Sequence, residues 1–216
     1  MNTLAYDLTS SEVSAGLLSG RKFSFRVNEL TRSSEKLFGL VHELISENGL
    51  KPIDLDRVIT FSGPGSFSGI RAGLAAAIAF QQSTNCQIMV FPSLLLACSG
   101  KDYGECTTYC KANREENFIG KYSINDGSEG FHKIEKLSEI EVVTNQDFEA
   151  NNSLSPNLFN LDDMSSEDKL KAAFELSLVD KLPDMQVSIS AKDSPPQPLY
   201  IKPVNAKTLA ERGVTS

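Results

Sequence analysis

The sequence predicts an α/β fold built on a mixed sheet, present once in full and a second time in reduced form. Three observations carry that prediction. The first hundred residues follow the order β-β-β-α-β-α-β. The second half opens on another run of three strand-like segments. The helical segments each carry an apolar surface suited to packing on a sheet. Three meandering strands followed by βαβ crossovers give a mixed sheet with helices on its faces.

Each element has its own warrant. Residues 3–7 form a short strand. Residues 12–18 alternate, with Val13, Ala15 and Leu17 on one face, and residues 22–27 alternate again through Phe23, Phe25 and Val27. The links Thr9-Ser10-Ser11 and Ser19-Gly20 suit turns. A helix over 34–47 follows, capped by Ser33 or Ser34. Leu37, Leu40, Val41, Leu44 and Ile45 make its buried stripe, Gly49 supplies a left-handed stop, and Pro52 prevents restart. A strand over 57–61, a glycine-rich turn over 63–69, a helix over 70–82, a strand over 87–91 and a short helix after Pro92 complete the first half. This order resembles the ribonuclease-H-like, or actin-like, sheet, a unit that actin-like proteins contain twice.

The second half is less regular. Residues 106–111, 117–123 and 130–136 read as a second meander, with a turn at Asn125-Asp126-Gly127. Residues 144–156 are polar and without period, hence a loop. Residues 156–160 suit a strand, and a helix begins at Ser165 or Ser166 and runs to about Lys181. Residues 183–198 hold Pro183, Pro195, Pro196 and Pro198, the mark of a linker or an extended edge. The expected division is therefore a first lobe over 1–100 and a divergent second lobe over 101–216.

Composition narrows the function. At 216 residues, 40% hydrophobic and 23% charged, the chain is an ordinary folded protein long enough to bury its own core. The net charge of −7 argues against a protein whose main affinity is for nucleic-acid phosphate. Residues 1–100 hold 8 basic and 8 acidic side chains; residues 101–216 hold 13 and 20 and carry the whole excess. Cys86, Cys98, Cys106 and Cys110 include no CxxC pair, and His42 and His132 lie far apart, so no structural zinc site is expected. Residues 1–4 lead straight into a strand-like run, without a secretory signal, and the longest apolar stretch, 70–80, holds Arg71 and is too short for a bilayer. The expectation is a cytoplasmic protein with free thiols and no membrane contact.

One motif carries chemical information. Between a strand and a helix stands Ser62-Gly63-Pro64-Gly65-Ser66-Phe67-Ser68-Gly69-Ile70-Arg71. Its glycines free the backbone to turn sharply, and the helix N-terminus behind them favours an anion. Asp7, Thr9, Gly63, Gly65, Ser66 and Gly69 are thus the candidate nucleotide- or phosphate-binding residues; the competing reading is a tight strand-to-helix turn with a capping Asp7. A Walker loop would need Gly-Lys-Ser/Thr where Gly69-Ile70 stands, and a dinucleotide fingerprint would need glycine at Ser68. No nucleophile–base–acid set is evident. In the following helix Ala72, Gly73, Ala75, Ala76, Ala77 and Ala79 are small, which lets another helix approach closely, from this chain or from a partner.

At this loop and its helix the match to a family becomes specific. GPGSFSGIRAGLAAA (63–77) resembles the GPGSFTG(I/V)R(x)GL signature of the TsaB family, once called YeaZ. LAYDLTSSEVSAGLL (4–18) resembles the family's strand–DTS–strand opening, SSEKLFGLVHELI (33–45) its HSExLxxxI helix, KANREENFIGKY (111–122) its DAR-containing strand pair, and PLYIKPVNAK (198–207) its PxYLRxxxAK segment. The chain departs from the pattern at Ser68, at Ser33 and at Lys111-Ala112-Asn113.

The resemblance implies an actin-like fold in a non-catalytic, scaffold subunit of bacterial threonylcarbamoyladenosine synthesis on tRNA. In that family the paralogue TsaD carries a metal-binding HxxxH, absent here, and transfers the threonylcarbamoyl group; TsaE is an accessory ATPase. It implies binding to the TsaD-like transferase through the two first-lobe helices, with Phe38, His42, Arg71, Ala72, Ala75 and Ala76 as interface residues. It implies no metal and no cofactor of the chain's own, ATP or ADP at the complex interface, and tRNA contact only through the complex. The rival expectations are an actin-like ATPase or peptidase-like enzyme acting alone, and a homodimeric regulator using the same helices.

Overall fold

The computed structural model describes residues 1–28, 35–102, 104–126, 132–152, 157–178, 182–188 and 193–199. Strands β1 (Asn2–Asp7), β2 (Val13–Ser19) and β3 (Lys22–Asn28) form the antiparallel meander. Helix α1 (Glu35–Glu47), β4 (Arg57–Phe61), α2 (Phe67–Thr84) and β5 (Gln87–Phe91) follow. β4 lies parallel to both β1 and β5. A 3-10 helix, Ser93–Cys98, ends the first half.

Side chains alternate across this sheet with period two. Leu4 and Tyr6 of β1, Val58 of β4, and Ile88 and Val90 of β5 face α1 and α2. Ala5, Ile59, Phe61, Met89 and Phe91 face the other way, into a second core shared with the rest of the chain. Each fully buried Leu, Ile or Phe contributes roughly 1.5–3 kcal/mol. Gly73 lets α2 sit close to β4: a Cβ there would stand 3.0 Å from Thr60 Oγ1.

The second half repeats the plan. β6 (Gly104–Lys111), β7 (Glu116–Asp126) and β8 (His132–Lys136) form a second antiparallel meander. β9 (Glu141–Thr144) and α3 (Asn145–Asn152) come next, then β10 (Leu158–Asn160), parallel to β6 as β4 is to β1. Helix α4 (Ser166–Leu176) follows β10 as α2 follows β4. The fold is the actin-like, ribonuclease-H-like duplication.

The next strand breaks the repeat. β11 (Gln186–Ser188) does not extend the second sheet; it pairs antiparallel with β5, giving the first sheet the order β11-β5-β4-β1-β2-β3. Gln81 of α2 holds it there, donating from Nε2 to the Ser188 carbonyl at 3.0 Å. The Leu199 N–H reaches the Ser62 carbonyl at 2.8 Å, so the chain just past Pro198 also meets the first half. A boundary at residue 100 separates the two meanders, but β11 crosses it.

Four elements differ from expectation: β9 is an unexpected strand, α4 ends at Leu176 rather than near Lys181, and two others differ more instructively. α2 begins at Phe67 rather than Ile70, because Ser66 is its N-cap: Ser66 Oγ accepts from Gly69 N at 3.3 Å and the Ser66 carbonyl from Ile70 N at 2.8 Å. Gly69 therefore lies within the first helical turn. Residues 144–156, expected as a loop, hold α3, capped by Thr144, whose Oγ1 accepts from Asp147 N at 3.1 Å. Its one aromatic anchor is Phe148, 4.6 Å from Tyr109 between ring centroids. The Ser33 and Ser34 caps, Gly127 and most of residues 198–207 lie outside the described residues.

Candidate functional site

Two surfaces gather the residues singled out above. The first is the outer face of α1 and α2. The inward stripe of α1 is buried, as is the α2 side bearing Ile70, Leu74, Ala77 and Phe80. Phe38 packs its ring 5.7 Å from Phe80 at the groove between the helices, yet is 52% exposed. Phe67 is 44% exposed, with the Arg71 guanidinium 4.3 Å above its ring. His42, Arg71 and Ala75 are exposed and Ala72 is half-buried. Exposed aromatic side chains on a small-residue helical surface are the composition of a protein-binding face. Ala76 corrects the expected set: it packs in the core with Leu74 and Ala77, so it offers a partner almost no surface.

The second surface is a cleft of about 890 Å³ between the two halves. The β1–β2 loop and the Pro64–Gly69 stretch form one wall; residues 110–112 and the start of α4 form the other. Glu12 and Ser166 hydrogen-bond across it. The hydroxyls of Thr9, Ser10, Ser66, Ser165 and Ser166 belong to its lining.

The glycines at this cleft serve a close approach of backbone to backbone. A Cβ on Gly65 would lie 2.6 Å from the Thr9 carbonyl oxygen, and one on Gly69 only 1.8 Å from that of Leu8. The Ser66 N–H donates to the Thr9 carbonyl at 2.7 Å. Gly63, with φ of +103°, makes the turn out of β4. Asp7 is buried and its Oδ1 accepts from Thr9 N at 2.6 Å and Thr9 Oγ1 at 2.7 Å. Burial pushes its carboxyl above the ordinary 3.8, against the pull of Thr9 and the Lys169 ammonium. Of the six candidate phosphate-binding residues, Thr9, Gly65, Ser66 and Gly69 line the cleft, whereas Asp7 and Gly63 are buried and do not line it.

Sequence reasoning missed Lys169. It lies on the buried side of α4, is 8% exposed, and lines the cleft near Asp7. The signal for it was a lysine beside Leu170 in the apolar phase of that helix. Among the described residues no group of three or more His, Cys, Asp or Glu is placed to hold a metal ion. No helix among them is long and apolar enough to cross a membrane.

The two surfaces lie on a fold with known relatives. A family model described as TsaD: tRNA N6-adenosine threonylcarbamoyltransferase matches residues 30–193, well over half of the sequence, and the chain belongs to that family. Its relatives include proteins described as TsaB and YeaZ. It is 30% identical over 89 residues to the tRNA threonylcarbamoyladenosine biosynthesis protein TsaB of Bacillus subtilis, covering 40% of this chain and 39% of that one. The chain spans less than two thirds of the length of the curated relatives it matches. Among solved structures it is similar to YeaZ from Pseudomonas aeruginosa, with a TM-score of 0.56, 18% identity, and 66% of this chain and 67% of that chain covered. It is also similar to a protein described as having similarity to peptidase YeaZ from Pseudomonas aeruginosa, with a TM-score of 0.67 and 15% identity over 93% of this chain and 99% of that one. At these identities the structures show the shared fold.

Proposed function

We propose that this chain is a non-catalytic scaffold subunit in the synthesis of threonylcarbamoyladenosine on tRNA, the modified adenosine next to the anticodon. It binds a TsaD-like transferase through the outer face of α1 and α2. The observation that carries this reading is the exposed pair Phe38 and Phe67 flanking the small residues Ala72 and Ala75. Phe67, Arg71 and Ala75 follow at four-residue steps along α2, with Arg71 stacked on Phe67, and His42 is exposed one turn beyond Phe38 on α1, so the face mixes aromatic, small and cationic side chains. A TsaE-like ATPase and tRNA then join through the transferase, and ATP or ADP binds at the complex interface.

Ala75→Glu tests it. The side chain is exposed, so the monomer keeps its melting temperature. Burying an unpaired carboxylate in the interface lowers affinity for the TsaD-like partner by about 100-fold or more in co-purification or calorimetry. Unchanged binding overturns the assignment of this face.

The interlobe cleft favours a second reading, an actin-like enzyme acting alone, because about 890 Å³ would hold a nucleotide. Calorimetry of the isolated chain with ATP and magnesium separates the two. The scaffold reading expects no turnover; tight binding with hydrolysis overturns it.

A further inference from the structure

The four cysteines are buried and free, but they are not equivalent. Cys98 closes the 3-10 helix at the end of the first half, and Cys106 lies on β6 at the start of the second. Their sulfurs are 3.5 Å apart in hydrogen-bonding contact. Cys86 lies in the other core, beneath α1 and α2. Cys110 is four residues along β6 from Cys106, on the same face.

We propose that Cys98 and Cys106 are a reversible oxidation site that hydroperoxides convert to a disulfide at the junction of the two halves. The sulfurs are already in contact, and closing to the S–S bond length of about 2.05 Å needs a movement of roughly 1.5 Å. Gly100 and Gly104, both at positive φ, lie between the two cysteines in the chain.

The surroundings divide the labour between the two thiols. The hydrogen bond between the two thiols pulls Cys106 below the ordinary value, against burial, and the nearby Lys101 ammonium adds to that pull. The same hydrogen bond, together with burial, holds the proton on Cys98. Burial raises Cys86 and pushes Cys110 up to about 12, so both stay protonated. The Tyr122 hydroxyl beside this group has no hydrogen-bond partner among the described residues and does not compete for the thiols. Cys106 is therefore the attacking thiolate and Cys98 the resolving thiol.

The chemistry balances. The Cys106 thiolate attacks one peroxide oxygen; the S–O bond forms, the O–O bond breaks, and hydroxide leaves. Sulfur is oxidised to sulfenic acid as the peroxide is reduced. The Cys98 sulfur, giving up its proton, then attacks the Cys106 sulfur; the S–S bond forms, the S–O bond breaks, and water leaves. Two thiols and one hydrogen peroxide give one disulfide and two waters. Because both sulfurs are buried, local opening around them sets the rate.

The test uses the full chain and hydrogen peroxide at neutral pH. After quenching, denaturing and alkylation, peptide mass mapping should find Cys98 linked to Cys106, with Cys86 and Cys110 alkylated. Dithiothreitol should restore four free thiols. Cys98→Ser should accumulate a sulfenic acid at Cys106 that dimedone traps, whereas Cys106→Ser should leave Cys98 unoxidised at the same dose. Four alkylated thiols after a dose that fully oxidises glutathione overturn the proposal. So does a Cys106–Cys110 linkage, or equal loss of all four thiols. The readout is independent of any partner, so it stands or falls apart from the scaffold assignment.

Discussion

The two halves of this molecule run the same program and finish it differently. Each opens on a three-strand meander, adds a parallel strand beside the first, and sends a helix back over the sheet. The first half then completes its sheet with β5. The second half sends its next strand, β11, to the first sheet instead. The helices differ in the same sense. α2 turns Phe67, Ala75 and Ala79 to solvent, whereas α4 turns the charged Asp168, Lys171 and Glu175 outward and packs Leu170, Ala173 and Phe174 into the shared core. Even β2 is shaped for this: a Cβ on Gly16 would lie 3.3 Å from Leu170 and 3.4 Å from Phe174. The comparison teaches that the second half serves largely to buttress the back of the first, which leaves the front, α1 and α2, as the surface available to another protein.

The strongest blow to this arrangement is at the loop where the halves meet. Gly69→Ala places a methyl 1.8 Å from the Leu8 carbonyl oxygen and 2.8 Å from its carbon, backbone atoms that cannot swing aside. It should cost about 3 kcal/mol or more, or prevent folding, in urea denaturation. Gly100→Ala, where a Cβ meets nothing within 4 Å but φ is +65°, should cost only about 1 kcal/mol. Equal costs at the two sites would mean that the β4–α2 loop is not packed on the β1–β2 loop.

A smaller effect addresses the strand that crosses between halves. Gln81→Ala removes the buried amide that donates to Ser188. It should lower stability by about 1–3 kcal/mol. The amide protons of β11 should exchange with solvent faster than those of β4. Unchanged protection in β11 would show that the strand is held by β5 alone.

Asp7 gives the smallest effect and a sign that can be checked. Its folded carboxyl titrates above the ordinary 3.8 because burial disfavours the charge. The folded state therefore binds the Asp7 proton more tightly than the unfolded state does. Asp7's contribution to stability is full below about 3.8 and is lost as pH rises through the raised value. Asp7→Asn does not titrate, so its melting temperature relative to the unmutated protein should climb as pH is raised through that window. A flat or falling difference would contradict the desolvated carboxylate.

The legibility of the sequence followed the same divide. In the first half Leu4, Tyr6, Val58 and Ile88 on one side, and Ala5, Ile59 and Met89 on the other, carry a period that strands impose and a reader can recover. The α1 stripe is equally plain. The glycine loop was legible as a motif, but its glycines could be read for a ligand or for a close turn. Only the 1.8 Å and 2.6 Å approaches to Leu8 and Thr9 show what they touch. α3 escaped because NQDFEANN buries little and has almost no apolar period; Thr144 and Asp147 were the only local sign of a helix start. The destination of β11 was not legible at all. Three residues with one buried side chain specify no partner, and the choice of β5 is made by Gln81, far away in sequence. Lys169 was hidden for a related reason, since a lysine in an amphipathic helix ordinarily keeps to solvent.

The return of β11 to β5 has a consequence for dissection and for synthesis. A fragment ending at residue 100 would carry both α1 and α2, yet it would leave the β5 edge bare, with peptide groups aligned to pair with any passing strand. Such edges recruit copies of themselves, and natural sheets cover them. On the ribosome the same edge waits until residues 186–188 emerge, so the half made first is the half closed last.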